Sequence, residues 1–187
     1  MSGSRVFLDF EASSLKKNGF PIEVGWAFED GGGENWLIRP APGWIDWDPK
    51  AEAIHGIPLE TLKRDGTPHD EVARRMVETL SAHQLFASAP SWDGKWLSLL
   101  LRSAGYPRHT LRLKDTEEVQ YESAFAILAP VAGEAEGERI AKELMLRVRS
   151  EGEARPVRHR ALADAEEELR RWRDIRRLAE DRAAAFP

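Results

Sequence analysis

Along this chain, strand-like runs of apolar residues come first and helix-like spacing follows. The run Arg5-Val6-Phe7-Leu8-Asp9-Phe10-Glu11 predicts a strand over residues 5–11. Alternate residues of a strand share a face, so Asp9 and Glu11 project together from an otherwise buried element. Further apolar runs predict strands over 22–28 and 34–38, joined by the flexible turn Glu29-Asp30-Gly31-Gly32-Gly33. Connections this short join antiparallel neighbours, so the first three strands are expected to form a meander. Residues 39–50, with three prolines and two tryptophans, predict an irregular but packed loop.

Helical signals then take over. Thr67-Pro68-His69-Asp70 offers an N-cap, a proline at the first helical position and an early acid, and Val72, Met76 and Leu80 supply an apolar stripe. A short buried strand is expected over 84–89, with Ser91 capping a helix over 92–103. Another strand follows over 110–113, with Thr116 capping the next helix. Residues 133–149 predict a helix, 150–158 a polar loop, and 160–184 a last helix. A meander followed by alternating strands and helices predicts an α/β domain with a mixed sheet. At 187 residues the chain is long enough for one domain over 1–187 with a substantial core, residues 1–4 being a frayed start.

Composition narrows the chemistry. Apolar residues make up 42% of the chain and charged residues 32%, and there is no cysteine. Disulfides, thiolate metal sites and cysteine nucleophiles are therefore excluded. No apolar stretch is long enough to span a bilayer, so no membrane association is expected, and no signal-peptide pattern precedes the first strand. The cytoplasm is the expected compartment. A formal net charge of −5 argues against a protein that coats nucleic acid electrostatically. Arginine and lysine nevertheless concentrate between Arg139 and Arg160, and local basicity beside a site matters more than the sum.

Two carboxylates side by side in a core disfavour each other's ionisation. A divalent cation makes such a pair tolerable, and an ion pair with lysine or arginine is the competing account. Asp93 lies just after a predicted strand, where α/β sheets place site residues. As an acid in the first turn of a helix it also suits the helix dipole. Asp164 lies at the border of the buried face marked by Leu162, Ala165, Leu169 and Trp172, beside Ile175, with Glu166, Arg170, Arg173 and Arg177 opposite. There it can reach a cleft or pair with an arginine. His159 is a candidate proton acceptor, histidine being the side chain best suited to that role near neutral pH.

Asp-x-Glu, a later Asp and a final His-x₄-Asp form an ordered series that resembles the DEDDh 3′–5′ exonucleases of the ribonuclease H-like superfamily. That group includes oligoribonuclease, ribonuclease T and proofreading exonuclease subunits. The likeness covers residues 6–179. Asp9-Phe10-Glu11-Ala12-Ser13-Ser14-Leu15 is similar to the family's D-x-E-x-T-G-L. Ala53-Ile54-His55-Gly56-Ile57-Pro58 resembles the segment H-G-I-[TS], which borders the pocket for the terminal nucleotide. His159-Arg160-Ala161-Leu162-Ala163-Asp164-Ala165 is close to H-R-A-L-x-D-A. Ser13 and Ser14 depart from the usual Thr and Gly, and Ser88-Ala89-Pro90-Ser91-Trp92-Asp93 departs from the frequent H-N-x-x-F-D.

The resemblance implies a ribonuclease H-like mixed sheet, an antiparallel meander followed by parallel strands, with helices on both faces. It implies hydrolysis of phosphodiester bonds from the 3′ ends of single-stranded RNA or DNA, or of short oligonucleotides. Two Mg²⁺ or Mn²⁺ ions would be held by Asp9, Glu11, Asp93 and Asp164. Asp9 would bridge the ions, Glu11 and Asp164 would hold the one with the nucleophilic water, Asp93 the other, and His159 would be the general base. Ala12, Ser13, Leu15, His55, Gly56 and Ile57 would border the terminal nucleotide. Leu15 and Ile57 either sandwich its base or belong to the core, and His55 makes a structural hydrogen bond rather than touching metal. Arg158 and Arg160 are candidates for phosphate contacts. Trp44 and Trp47 either stack on bases or pack their loop onto the domain. Several relatives dimerise, which makes a homodimer a further expectation. The competing functions are an endonuclease of ribonuclease H type, a non-catalytic nucleic-acid-binding module of the same fold, and a domain holding a purely structural ion.

Overall fold

The computed structural model describes residues 3–153 and 159–186. The strands are β1 (Arg5–Ala12), β2 (Pro21–Phe28), β3 (Gly33–Arg39), β4 (Thr67–Pro68), β5 (Gln84–Ala87) and β6 (Leu113–Asp115). They form one sheet in the order β4-β3-β2-β1-β5-β6. β1, β2 and β3 pair antiparallel, whereas β5 runs parallel to β1, β6 to β5 and β4 to β3. The helices are α1 (Pro49–His55), α2 (Leu59–Asp65), α3 (His69–Leu80), α4 (Pro90–Ser103), α5 (Thr116–Ala132), α6 (Glu134–Glu153) and α7 (Ala161–Ala184). This is the mixed sheet, meander first and parallel strands after, that the resemblance implies.

Strand alternation explains why both faces carry helices. Val6, Leu8 and Phe10 of β1 join Val24 and Trp26 of β2 in a core with Val72, Met76 and Leu80 of α3 and Trp96 and Leu100 of α4. Phe7 points the other way, with Ala27 and Phe86, and packs against Ala165, Leu169 and Trp172 of α7 and Val119 of α5. A further cluster joins α5, α6 and α7 through Leu128, Ile140, Leu144 and Ile175. Among the described residues no helix is long and apolar enough to cross a membrane.

Several boundaries differ from the expected ones for local reasons. Thr67 and Pro68 pair with Ile38 and Arg39 as a strand, so α3 begins at His69 without a side-chain cap. α4 begins at Pro90 rather than after Ser91, because proline suits a first helical position and leaves Ala89 as the cap. The cap of α5 is Asp115, whose side chain accepts from the Glu117 N–H, and Thr116 is already helical. β6 therefore lies at Leu113–Asp115, later than expected. α6 continues through the expected polar loop to Glu153, and the rest of that loop, 154–158, lies outside the described residues. The expected loop 39–50 ends in α1, capped by Asp48, and α2 follows.

Packing requires glycine at position 25. Gly25 of β2 lies opposite Asp9 in the pairing register, and the start of α7 crosses directly over it. A Cβ at Gly25 would collide with the Leu162 and Ala161 backbone. Replacing Gly25 with alanine is expected to cost about 1–3 kcal/mol of stability through overpacking, measurable by chemical denaturation. The start of α7, which carries Asp164, would be displaced by it.

Candidate metal centre

Asp9 and Glu11 follow Phe7 on the α7 face of β1. α7 begins over that face, which places Asp164 in its first turn close to them. Carboxylate oxygens of Glu11 and Asp164 and a ring nitrogen of His159 all lie within 4.8 Å of one another. His159 is exposed, with φ 45°, just before α7. Left-handed backbone is uncommon for residues other than glycine, although histidine is among those enriched there.

Asp93 reaches the same region from the opposite side of β1. Parallel pairing of β1 with β5 stops at Phe7 and Phe86, and further along β1 the Phe10 N–H donates to the Asp93 carboxylate, as does the Ala89 N–H. Asp93 is only 3% exposed, and its Oδ2 has no hydrogen-bond partner. Among the described residues, no lysine or arginine forms an ion pair with Asp9, Glu11, Asp93 or Asp164.

Electrostatics report the crowding. Burial pushes Asp9 well above the ordinary carboxylate range, and the negative charges of Asp93, Glu11, Asp164 and Glu168 push it further. Glu11 rises to about 7, first through burial and then through Asp164 and Glu23. Asp93 also rises to about 7 through burial, which outweighs its backbone hydrogen bonds. Burial raises Asp164 too, opposed by His159. Four carboxylates with unmet negative charge, an orphaned buried oxygen and no soft ligand fit a hard divalent cation such as Mg²⁺ or Mn²⁺.

One acid not foreseen from the sequence supports this centre, and a second adds to its negative charge. Glu23 of β2 pairs across the sheet with Glu11, and its side chain is fully buried. It accepts hydrogen bonds from Arg160 at 2.6 Å, from Asn35 at 2.8 Å and from the Ala161 N–H at 3.1 Å. Burial would raise Glu23, yet these three donors outweigh it and hold it below its ordinary value. Arg160, the N-cap of α7, makes no side-chain cap of its own. Glu23 therefore caps α7 from the neighbouring strand and fixes the helix that carries Asp164. The sequence signal is an acid in the middle of the buried run of β2, two residues before Gly25. Glu168, one turn after Asp164, is 8% exposed and donates no charge balance to the site. It is raised by burial and held by Arg171 at 2.6 Å and by Thr116.

The expected substrate contacts divide. Leu15 is 68% exposed, whereas Ile57 is 4% exposed and packs with Phe20, Ile22 and Leu62. Leu15 is thus the accessible apolar member of that pair, and Ile57 belongs to the core. Gly56 ends α1 in the left-handed region at φ 68°. His55 is buried, its Nδ1 accepts from the Ile57 N–H at 3.0 Å, and its Nε2 has no partner. Ala12 ends β1 at an irregularity in its pairing with β2. Ser13 and Ser14 are buried and stitch the following loop together. Ser13 Oγ accepts from the Phe20 N–H at 3.0 Å, and the Ser14 hydroxyl donates to Asp46. Arg160 is engaged by Glu23 rather than open to phosphate, and Arg158 lies outside the described residues. Trp44 and Trp47 pack on Phe20 with ring centroids 5.4 and 6.3 Å away, so they anchor their loop.

The sequence matches no protein-family model and no curated protein. The structure is similar to the zinc-bound form of an E. coli exonuclease I–single-stranded DNA complex, with a TM-score of 0.67 and 16% identity over 98% of this chain and 42% of that one. E. coli exonuclease I bound to a dA16 oligonucleotide gives a TM-score of 0.67 at 15% identity over 97% and 42%. A moderately thermophilic exonuclease I from Methylocaldum szegediense gives 0.67 at 16% over 97% and 42%. The chain spans less than half the length of these structures. At such identity the likeness establishes the ribonuclease H-like α/β fold.

Proposed function

We propose that this chain is a metal-dependent 3′–5′ exonuclease that removes nucleotides from single-stranded nucleic acid. The observation that supports this reading is the approach of Glu11, Asp164 and His159 to within 4.8 Å of one another, with the negative charges of Asp9 and Asp93 beside them and, among the described residues, no lysine or arginine in an ion pair with those carboxylates. Single-stranded DNA as the substrate is supported by the exonuclease I complexes that share the fold. Asp9, Glu11, Asp93 and Asp164 would hold the divalent ions. When bound, these ions offset charge on the leaving oxygen and acidify water.

The chain's own residues supply the rest. His159, exposed at the rim and close to Glu11 and Asp164, accepts the proton of the attacking water at its ring nitrogen. Glu23 fixes the start of α7, so that Asp164 stays aimed at β1. Leu15, exposed beside Ser14, offers an apolar surface to the terminal base without reading its identity.

The test releases a label from the 3′ end of a single strand in Mg²⁺ or Mn²⁺. Labelled mononucleotide is the expected first product, and longer labelled fragments would favour an endonuclease. Replacing His159 with alanine is expected to slow release by about 10²–10⁴-fold while calorimetric metal affinity is retained. A parallel loss of metal affinity would make His159 a ligand instead of a base.

A further inference from the structure

The first turn of α4, which turns Asp93 inward, also forms one end of an open groove of about 760 Å³ between α4 and residues 108–113. Its walls carry Lys95, Arg102, Arg108, His109 and Arg112 and no acidic residue, in a chain whose net charge is −5. Several arginines elsewhere on the surface are charge-paired. Arg74, Arg75, Arg139, Arg147 and Arg176 each pair with a glutamate. Among the described residues no carboxylate pairs with Arg102, Arg108 or Arg112. Arg102 makes one hydrogen bond, to the Ser98 carbonyl at 3.2 Å. All three are exposed.

The groove also leads back to the metal centre. Lys95 Nζ donates to the Lys16 carbonyl at 2.7 Å, tying α4 to the loop that carries Leu15. Lys95 lies 4.0 Å from the Trp96 ring centroid and 5.1 Å from that of Trp92. Trp92 is stacked on Trp96 at 6.0 Å and is 40% exposed. From Asp93 to Arg102 the helix rises about 13 Å, a distance that a single strand covers in a few nucleotides.

Resting on the exonuclease reading, we infer that this groove binds the phosphodiester backbone of a single strand upstream of its 3′ end, with Trp92 as a stacking surface at its mouth. Unpaired guanidinium groups suit phosphate oxygens, and exposed aromatic faces stack bases without sequence preference. An acid-free wall also avoids repelling the polyanion.

The experiment compares wild type with an R102Q/R108Q/R112Q variant whose fold is verified by circular dichroism. A K63Q/R74Q/R176Q variant makes the same change in net charge at paired surface positions. Anisotropy of a labelled oligothymidylate in EDTA reads binding without hydrolysis, and cleavage of a labelled dinucleotide in Mg²⁺ reads the carboxylate centre alone. The groove variant is expected to bind the oligothymidylate about tenfold more weakly, with a salt slope shallower by about two. Its dinucleotide cleavage should match wild type, and the control variant should bind as wild type does. Equal oligothymidylate binding by wild type and groove variant overturns the inference, as does an equal loss in the control. Preference of the groove for a polyglutamate peptide over the oligothymidylate also overturns it. If wild type leaves both the dinucleotide and a longer linear strand uncut in Mg²⁺ and Mn²⁺ while the groove variant still loses strand binding, the exonuclease reading fails and the groove stands.

Discussion

Replacing Asp9 with asparagine is expected to abolish the proposed hydrolysis and at the same time to make the metal-free protein more stable at mildly alkaline pH. Asp9 is raised by burial and by the negative charges of Asp93, Glu11, Asp164 and Glu168. Rates should fall on the order of a thousandfold or more, since the lost group positions the charge that the transition state requires. The stability effect follows from linkage. Glu11 and Asp93 ionise at about 7 in the folded chain, against ordinary values of 4.5 and 3.8, so the folded state binds more protons than the unfolded one between those limits. Their contribution is complete below the ordinary carboxylate range and is lost as pH rises through about 7. The cluster therefore lowers the Tm of metal-free wild type between about pH 5 and pH 8. Mg²⁺ reverses this fall at the upper end, because it binds the deprotonated ligands. In Asp9→Asn the fall should be shallower and the Mg²⁺-dependent rise in Tm absent. Thermal melts at both pH values, with Mg²⁺ or EDTA, check both effects. A rise with Mg²⁺ as large in the variant as in wild type would remove Asp9 from the centre.

The second large effect belongs to a residue that touches no substrate. Glu23→Ala is expected to cost about 2–3 kcal/mol in urea unfolding, because it strips a charged acceptor from the buried Ala161 N–H and from Arg160 and Asn35. Arg160, half exposed, turns to water, which keeps the cost below that of a fully buried pair. Hydrolysis should fall about tenfold to a hundredfold through misplacement of Asp164, with Glu23→Gln intermediate since an amide oxygen can still accept from Ala161. A Glu23→Ala protein with wild-type metal affinity and rate would show that α7 needs no cap from β2.

What was legible in the sequence is what local pattern encodes. Alternation along residues 5–11 placed Asp9 and Glu11 on one face, and helical spacing gave α7 to within a residue of its observed start. The first three strands follow from the same alternation and from the glycine-rich turn. α1 and α2, seven residues each, are too short to show a helical period among their prolines and glycines. Thr67 reads as a cap, but a long-range pairing with β3 claims it as a strand. Glu23 is the instructive miss. Its role comes from lying opposite Glu11 and beneath the start of α7, two relations between residues far apart in the chain. Trp44 and Trp47, by contrast, could be read either way, and contact with Phe20 settles them as packing residues.

Digestion of a linear 5′-labelled single strand beside a circular strand of the same sequence, in Mg²⁺ and in EDTA, addresses the central claim most directly. The expected result is a ladder shortening from the 3′ end of the linear strand in Mg²⁺, an intact circle, and no reaction in EDTA or with Asp9→Asn. Cutting of the circle, or an uncut linear strand in Mg²⁺ and Mn²⁺ alike, would contradict it.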